Sequence, residues 1–181
     1  MDHIKPWKIL SSKLILDHPK LRVYEDVVDL PDGNKDVYVK YDIDEPDAVI
    51  VIAINNRNEV LIQREYSHPP KVVLWQLPGG SMHKDERPKD AANRELAEES
   101  GYSAKRQNIL GYFYTNNRLS SRKQHIVLCK DLFKKQLQKD NDEFIESYWK
   151  SLDELLVMIT NGEVNNVNML AALMVWLQGK S

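Results

Sequence analysis

Short apolar runs separated by turn residues fill the first third of the chain. Residues 13–17, 21–30 and 36–42 are rich in β-branched and aromatic side chains, and P-D-G-N at 31–34 is a hairpin turn signal between the second and third runs. The pattern predicts a small antiparallel sheet. Residues 47–54 and 59–65 predict a second hairpin about the turn at 55–58, and residues 72–77 a further strand. Residues 89–100 break this rhythm with good helix formers; Pro88 suits a first helical turn, and Gly101 supplies the left-handed residue that commonly ends a helix. Strands return at 109–115, 124–130 and 144–150. Two helices close the chain, one at 152–160 behind Ser151 with acidic residues in its first turn, the other a strongly apolar stretch at 167–177. The charged segment 130–142 reads as a mobile loop. This order predicts an α+β sandwich in which a mixed sheet is flanked by helices.

Composition adds limits. With 181 residues, 42% of them hydrophobic, the chain can bury a substantial core and falls in the size range of one domain. A formal net charge of -2 gives no global basic field for nucleic acid or an anionic membrane. No apolar run approaches bilayer length, and the first residues lack the apolar core of a secretion signal, so a cytoplasmic protein is expected. Cys129 is the single cysteine, which excludes an internal disulfide and reads as a core residue on a strand. The five histidines show no metal-binding pairing, which disfavours zinc.

The chemistry concentrates between residues 80 and 102, where Gly80, Glu86, Arg94, Glu95, Leu96, Glu98, Glu99, Gly101 and Tyr102 form the pattern G-x5-E-x7-R-E-L-x-E-E-x-G-Y. Chance would produce it at on the order of one in a billion starting points, given average residue usage. Glu95 lies three and four positions before Glu98 and Glu99, so the three carboxylates share a helix face and repel one another. A hard divalent cation relieves that repulsion. Carboxylate oxygens suit Mg2+ or Mn2+, and Mg2+ commonly shares its shell with substrate phosphates. The bland reading is a solvated acidic face with Arg94 and Glu98 as a surface pair; Gly80, Glu86 and Gly101 at fixed offsets weigh against it.

This constellation resembles the signature of the Nudix hydrolases, which use divalent metals to split a nucleoside diphosphate linked to another group. The apolar run at 48–54, L-W-Q-L-P-G-G at 74–80, D-E-F-I-E at 142–146, W-K-S-L-D-E-L at 149–155 and G-E-V at 162–164 resemble the ADP-ribose pyrophosphatase branch. The resemblance implies a Nudix-type α/β/α sandwich over residues 47–181, preceded at 1–46 by an antiparallel β-sheet that serves a homodimer. The alternative is a sheet that packs only on its own subunit. The resemblance also implies Glu95, Glu99 and the Gly79 carbonyl as metal ligands, Glu98 as a further ligand or a water-mediated partner, and Arg94 and Glu86 as supports behind them. It places the general base in the loop holding Glu143 and Glu146. Glu143 is favoured, because a residue three further along a strand faces the opposite side.

For the substrate, a diphosphate needs cations and a base needs an aromatic platform. Arg64, Arg118, Arg122 and Lys123 are candidates for the first, Trp7, Tyr24 and Tyr38 for the second; isolated Arg and Tyr residues more often fill surface or core. Two departures from the branch bear on specificity. Ser67 follows Tyr66 where the branch commonly has arginine, and N-N-R-L-S-S-R at 116–122 replaces a Pro-Gly turn. The expected activity is therefore hydrolysis of nucleoside diphosphate sugars such as ADP-ribose, ADP-glucose or GDP-mannose to a nucleoside monophosphate and a sugar phosphate. A nucleoside triphosphate pyrophosphohydrolase and a non-catalytic nucleotide-sugar sensor are the alternatives.

Overall fold

The computed structural model describes residues 5–42, 47–138 and 144–179, which divide into two compact units. The smaller joins residues 5–42 to Tyr114–Arg122; the larger holds residues 47–113, 123–138 and 144–179.

In the smaller unit β1 (Lys8–His18), β2 (Leu21–Asp29) and β3 (Lys35–Asp42) form an antiparallel sheet in the order β1-β2-β3. Gly33, at φ 86°, closes the predicted turn, where its N–H donates to the Leu30 carbonyl. Strand β1 begins earlier than the sequence pattern indicates and is exposed along its whole length, with Ile9, Leu10, Leu14, Ile15 and Leu16 each 41–55% exposed. Beneath Lys40, Asp26 is 3% exposed. Burial pushes its pKa up, but the Lys40 ammonium at 2.6 Å and a Ser12 hydrogen bond outweigh burial and hold it below the usual carboxylate range.

The larger unit is layered about β4 (Ala48–Ala53), whose residues are all buried, as a strand covered on both faces requires. It pairs in parallel with β8 (Lys123–Lys134), which in turn pairs with β7 (Tyr102–Tyr114). The second sheet has the order β6 (Val72–Gln76), β5 (Val60–Ser67), β9 (Glu146–Lys150). Alternation along β4 sends Ile50 and Ile52 into one core with α2 (Leu152–Thr160) and α3 (Val167–Gln178). It sends Val49, Val51 and Ala53 into another with Ala91, Ala92 and Leu96 of α1 (Pro88–Ser100). Burying each such branched side chain contributes roughly 1.5–3 kcal/mol. This is the α/β/α sandwich that the resemblance implies, and it agrees with the α+β sandwich read from the order of elements.

Three expectations are corrected. Strands β4 and β5 are not a hairpin: the Asn55–Asn58 turn forms, with Asn58 at φ 60°, but beyond one bridge, Ile54 to Val60, they join different sheets. A run apolar on both faces needs a central place, and β8 supplies the partner. Residues 130–134 are not loop but the end of β8, where Asp131 pairs with Arg106 and Lys134 lies 3.8 Å over the Tyr102 ring; residues 139–142 lie outside the described residues. Strand β7 likewise starts at Tyr102, because its polar early residues have a neighbouring strand to bond to.

Cys129 is buried on β8 and desolvation pushes its thiol up to about 12, which suits a packing residue. Helix α2 opens on a full capping box between Ser151 and Glu154. The Ser151 N–H, the Lys150 ammonium and the Ser151 hydroxyl bring the Glu154 carboxyl to about 2 from an ordinary 4.5. A depressed carboxylate stabilises the fold above its unfolded pKa, and that contribution is lost as pH falls from about 4.5 through about 2. NMR titration of the Glu154 side-chain carbon is expected to give a midpoint near the lower value, and Ser151→Ala to move it upward.

Candidate active site

The site begins with how the loop after β6 is held. Val51 N–H donates to the Pro78 carbonyl at 2.8 Å, Val49 N–H to Gly80 at 2.9 Å, and Met82 N–H to Asp47 at 2.9 Å, so residues 78–82 are laid along β4 about a single antiparallel bridge, Ser81 to Ala48. Gly79 is required there. At φ 152°, a Cβ on it would stand 2.2 Å from the Val49 carbonyl oxygen. Gly79→Ala is expected to cost about 1–3 kcal/mol through that backbone clash, read as a lower urea midpoint with unchanged m value. At Gly80 a Cβ would lie 2.6 Å from Glu95 Oε1, so the missing side chain is what lets that carboxylate rest on the turn.

Helix α1 starts with Pro88 in its first turn and ends at Gly101, φ 73°, whose N–H bonds back to Ala97 and Leu96. Between them Ala91, Ala92 and Leu96 face the core, and Glu95 and Glu99 are carried inward to 6% and 4% exposure. Glu99 Oε2 accepts from the Gly79 N–H at 3.1 Å. Arg94 is the hub. It donates to both Glu86 oxygens at 3.0 and 3.1 Å, to Glu95 Oε1 at 2.8 Å, to Glu98 Oε2 at 3.0 Å and to the Ser81 carbonyl at 2.9 Å. Glu86 also takes the His83 N–H at 2.9 Å. Burial raises the Glu86 pKa, but the Arg94 hydrogen bonds and the His83 N–H outweigh it and leave the group below its usual range. Burial opposes the charge on Arg94 too, and the glutamates overcome it, so the guanidinium stays protonated.

Three carboxylates thus share one guanidinium, beside a fourth on a backbone N–H. The donors are all oxygen, and Glu95 and Glu99 are buried, a set that suits a hard divalent cation. With Glu95 and Glu98 turned onto Arg94, no three His, Cys, Asp or Glu side chains among the described residues converge on one point.

Among the described residues, the remaining sequence candidates take no part in these hydrogen bonds. Glu143 lies outside the described residues. Glu146 opens β9 and accepts from the Tyr148 hydroxyl at 2.8 Å; its cross-strand neighbour Arg64 lies 5.4 Å over the Trp75 ring. Trp7, Tyr24, Arg118 and Arg122 belong to the smaller unit. There Trp7 meets Tyr38 edge-on at 5.8 Å, Tyr24 lies under the Lys40 ammonium at 5.8 Å, and Arg122 N–H donates to Ser120 Oγ at 3.2 Å. Arg118 accepts the Tyr38 hydroxyl on its carbonyl at 2.5 Å and lines a cavity of about 600 Å3 with Tyr38, Lys40, Tyr41 and Tyr114. The last three of these were not singled out by the sequence; Lys40 and Tyr41 stand close after Tyr38 on β3, whereas Tyr114, at the end of β7, carries no signal of its own. The Ser81 carbonyl was invisible to it, because a backbone acceptor has no residue code.

The model of the NUDIX domain matches residues 44–173. The chain belongs to the Nudix family. Similar Nudix relatives include the ADP-ribose pyrophosphatase of Bacillus subtilis (strain 168), 29% identical over 161 residues that cover 87% of this chain and 85% of that one. The Methanol dehydrogenase activator of Bacillus methanolicus is 34% identical over 160 residues, covering 86% and 81%. A crystal structure of an ADP compounds hydrolase shares the fold with a TM-score of 0.89 at 23% identity, over 98% of this chain and 97% of that one. The protein is therefore a Nudix hydrolase of the branch that contains the ADP-ribose pyrophosphatases, and Gly80 to Tyr102 is its Nudix box.

Proposed function

We propose that this hydrolase splits the diphosphate linkage of nucleoside diphosphate sugars, ADP-ribose, ADP-glucose or GDP-mannose among them, with Mg2+ or Mn2+. The observation that carries the reading is the buried carboxylate cluster of α1, gathered around Arg94 against the Gly79-Gly80 turn. Glu95, Glu98, Glu99 and the Gly79 carbonyl would hold the ion. When bound, it supplies positive charge against the negative charge that grows on the anhydride. Glu95 and Glu98 would turn from Arg94 to hold it, while Arg94, tied to Ser81 and Glu86, keeps the helix and turn in register.

The reaction adds one water across P–O–P. One phosphorus gains the water's oxygen, the other leaves with the bridging oxygen, and the water's proton passes to Glu143 or Glu146. Arg64 stands beside Glu146 on β5 and is assigned to the diphosphate. Base recognition is assigned to the smaller unit, where Arg118, Tyr38, Lys40 and Tyr41 supply cations and rings around one cavity, with Trp7, Tyr24 and Arg122 in the same unit. The exposed apolar β1 supports a homodimer built through residues 1–46. No helix among the described residues is long and apolar enough to cross a membrane, and the proposed setting is the cytoplasm.

The test is kcat/KM for a panel of nucleotide sugars and nucleoside triphosphates with Mg2+. Nucleotide sugars are expected to exceed triphosphates by at least about tenfold. A reversed order would favour the triphosphate pyrophosphohydrolase. Binding of nucleotide sugars with no turnover of either class would favour the sensor.

A further inference from the structure

A second charged junction stands beside the box. Asp47 precedes β4, and its carboxylate reaches across to the start of β8: Oδ1 accepts from the Lys123 N–H at 2.9 Å and Oδ2 meets His125 Nε2 at 2.8 Å. Both side chains are largely buried, at 25% and 17% exposure. The imidazole is also packed against the Tyr112 ring at 5.9 Å, and the Lys123 ammonium covers that ring at 4.9 Å. The backbone carbonyl of the same Asp47 accepts the Met82 N–H. One residue therefore ties together β4, β8 and the loop leaving Gly80.

That loop has three backbone bonds to the β4 edge, and the Asp47 bond is the one beyond Gly80. The next residue back, Ser81, bridges to Ala48 and gives its carbonyl to Arg94, which contacts Glu86, Glu95 and Glu98. Hydrogen bonds joined through the Asp47 backbone and the Ser81-Met82 peptide lead from β8 to the glutamates: β8 holds the Asp47 carboxylate, the Asp47 carbonyl holds the Met82 N–H, and the carbonyl of that same peptide holds Arg94. We propose that Asp47 and His125 are positioning residues for the metal-binding carboxylates, holding the Ser81-Met82 segment where its carbonyl anchors Arg94 on the turn beside Glu95 and Glu98. The inference rests on the metal-dependent reading above. It assigns a role to a pair outside the box, 78 positions apart in sequence.

The test measures Mn2+ binding directly, by electron paramagnetic resonance of free Mn2+ with the full chain and no substrate, alongside steady-state kinetics. Asp47→Ala is expected to weaken Mn2+ binding about tenfold and to lower kcat by a similar factor, with KM for the nucleotide sugar nearly unchanged, in the range seen for groups that orient metal ligands. Asp47→Asn keeps an oxygen for the Lys123 N–H and offers an amide proton to an unprotonated Nε2, so it is expected to bind Mn2+ within about threefold of the parent. His125→Gln, which leaves the Lys123 bond to Asp47 in place, serves where Asp47→Ala fails to fold and is expected to weaken Mn2+ binding by about fivefold. Parental Mn2+ affinity in folded Asp47→Ala or His125→Gln overturns the proposal while leaving the metal reading intact. Equal loss in Asp47→Asn and Asp47→Ala, in step with lost stability, overturns it in favour of a purely structural pair. Absence of Mn2+ binding by the parent protein overturns the metal reading itself, and this inference with it.

Discussion

Glu99→Gln is expected to lower kcat by on the order of 10²–10³-fold, with the fold intact. The substitution changes charge and little else. Its amide oxygen can still accept from the Gly79 N–H at 3.1 Å, and the side chain stays the same size in a position 4% exposed. What is lost is one negative charge of the proposed cation site. KM for a nucleotide sugar is expected to move far less than kcat, because the proposed base contacts lie on other residues. Direct Mn2+ titration alongside kinetics separates the two effects, and near-parental kcat at saturating metal would remove Glu99 from the ligand set.

The second large effect is on stability. Arg94→Met would remove the one guanidinium shared by Glu86, Glu95 and Glu98 and leave the Ser81 carbonyl without that donor. Breaking a buried ion pair from one side commonly costs about 3–5 kcal/mol, and with Arg94 19% exposed the lower end is expected, about 3 kcal/mol, as a fall in the urea midpoint. Mn2+ held at the proposed carboxylate site would stabilise the fold by mass action, so the loss should be partly reversed by Mn2+, and more so in the variant than in the parent. The pH dependence has a definite sign. Glu86 is held below its ordinary 4.5, so its pairing with Arg94 stabilises fully above that value and the benefit is lost as pH falls through the lower folded pKa. The stability difference between parent and Arg94→Met is therefore expected to shrink on acidification. A variant as stable as the parent at neutral pH would contradict the hub role of Arg94.

Much of this was legible in local pattern, and the reasons are local. Gly101 ends α1 in the left-handed conformation because only a residue without Cβ turns there freely, and Ser151 with Glu154 three positions on is a capping box in sequence and in space. The box carboxylates share a face because helix periodicity is fixed. What the sequence left out depends on partners far along the chain. Residues 47–65 carry every mark of a hairpin, yet β4 pairs with β8, more than seventy positions away, and β5 with β6 and β9. The charges at 130–134 resemble a loop until Arg106 and Tyr102 are seen beside them. Asp47 and His125 carried no signal, since an aspartate before a strand and a histidine within one are ordinary until the parallel register of β4 and β8 brings them together. Tyr41, Lys40 and Tyr114 line a cavity because residues 114–122 fold back onto β3, where Tyr41 N–H meets the Leu119 carbonyl at 2.8 Å.

Hydrolysis of a diphosphate at the box is the property from which every proposed role above descends. The most direct measurement is 31P NMR of ADP-ribose incubated with the protein, with Mg2+ and again after chelation. With Mg2+ the two diphosphate resonances are expected to give way to two monophosphate resonances, those of AMP and ribose 5-phosphate, and after chelation to persist. Diphosphate signals that survive in Mg2+, or that vanish as fast in the chelated sample, would contradict it.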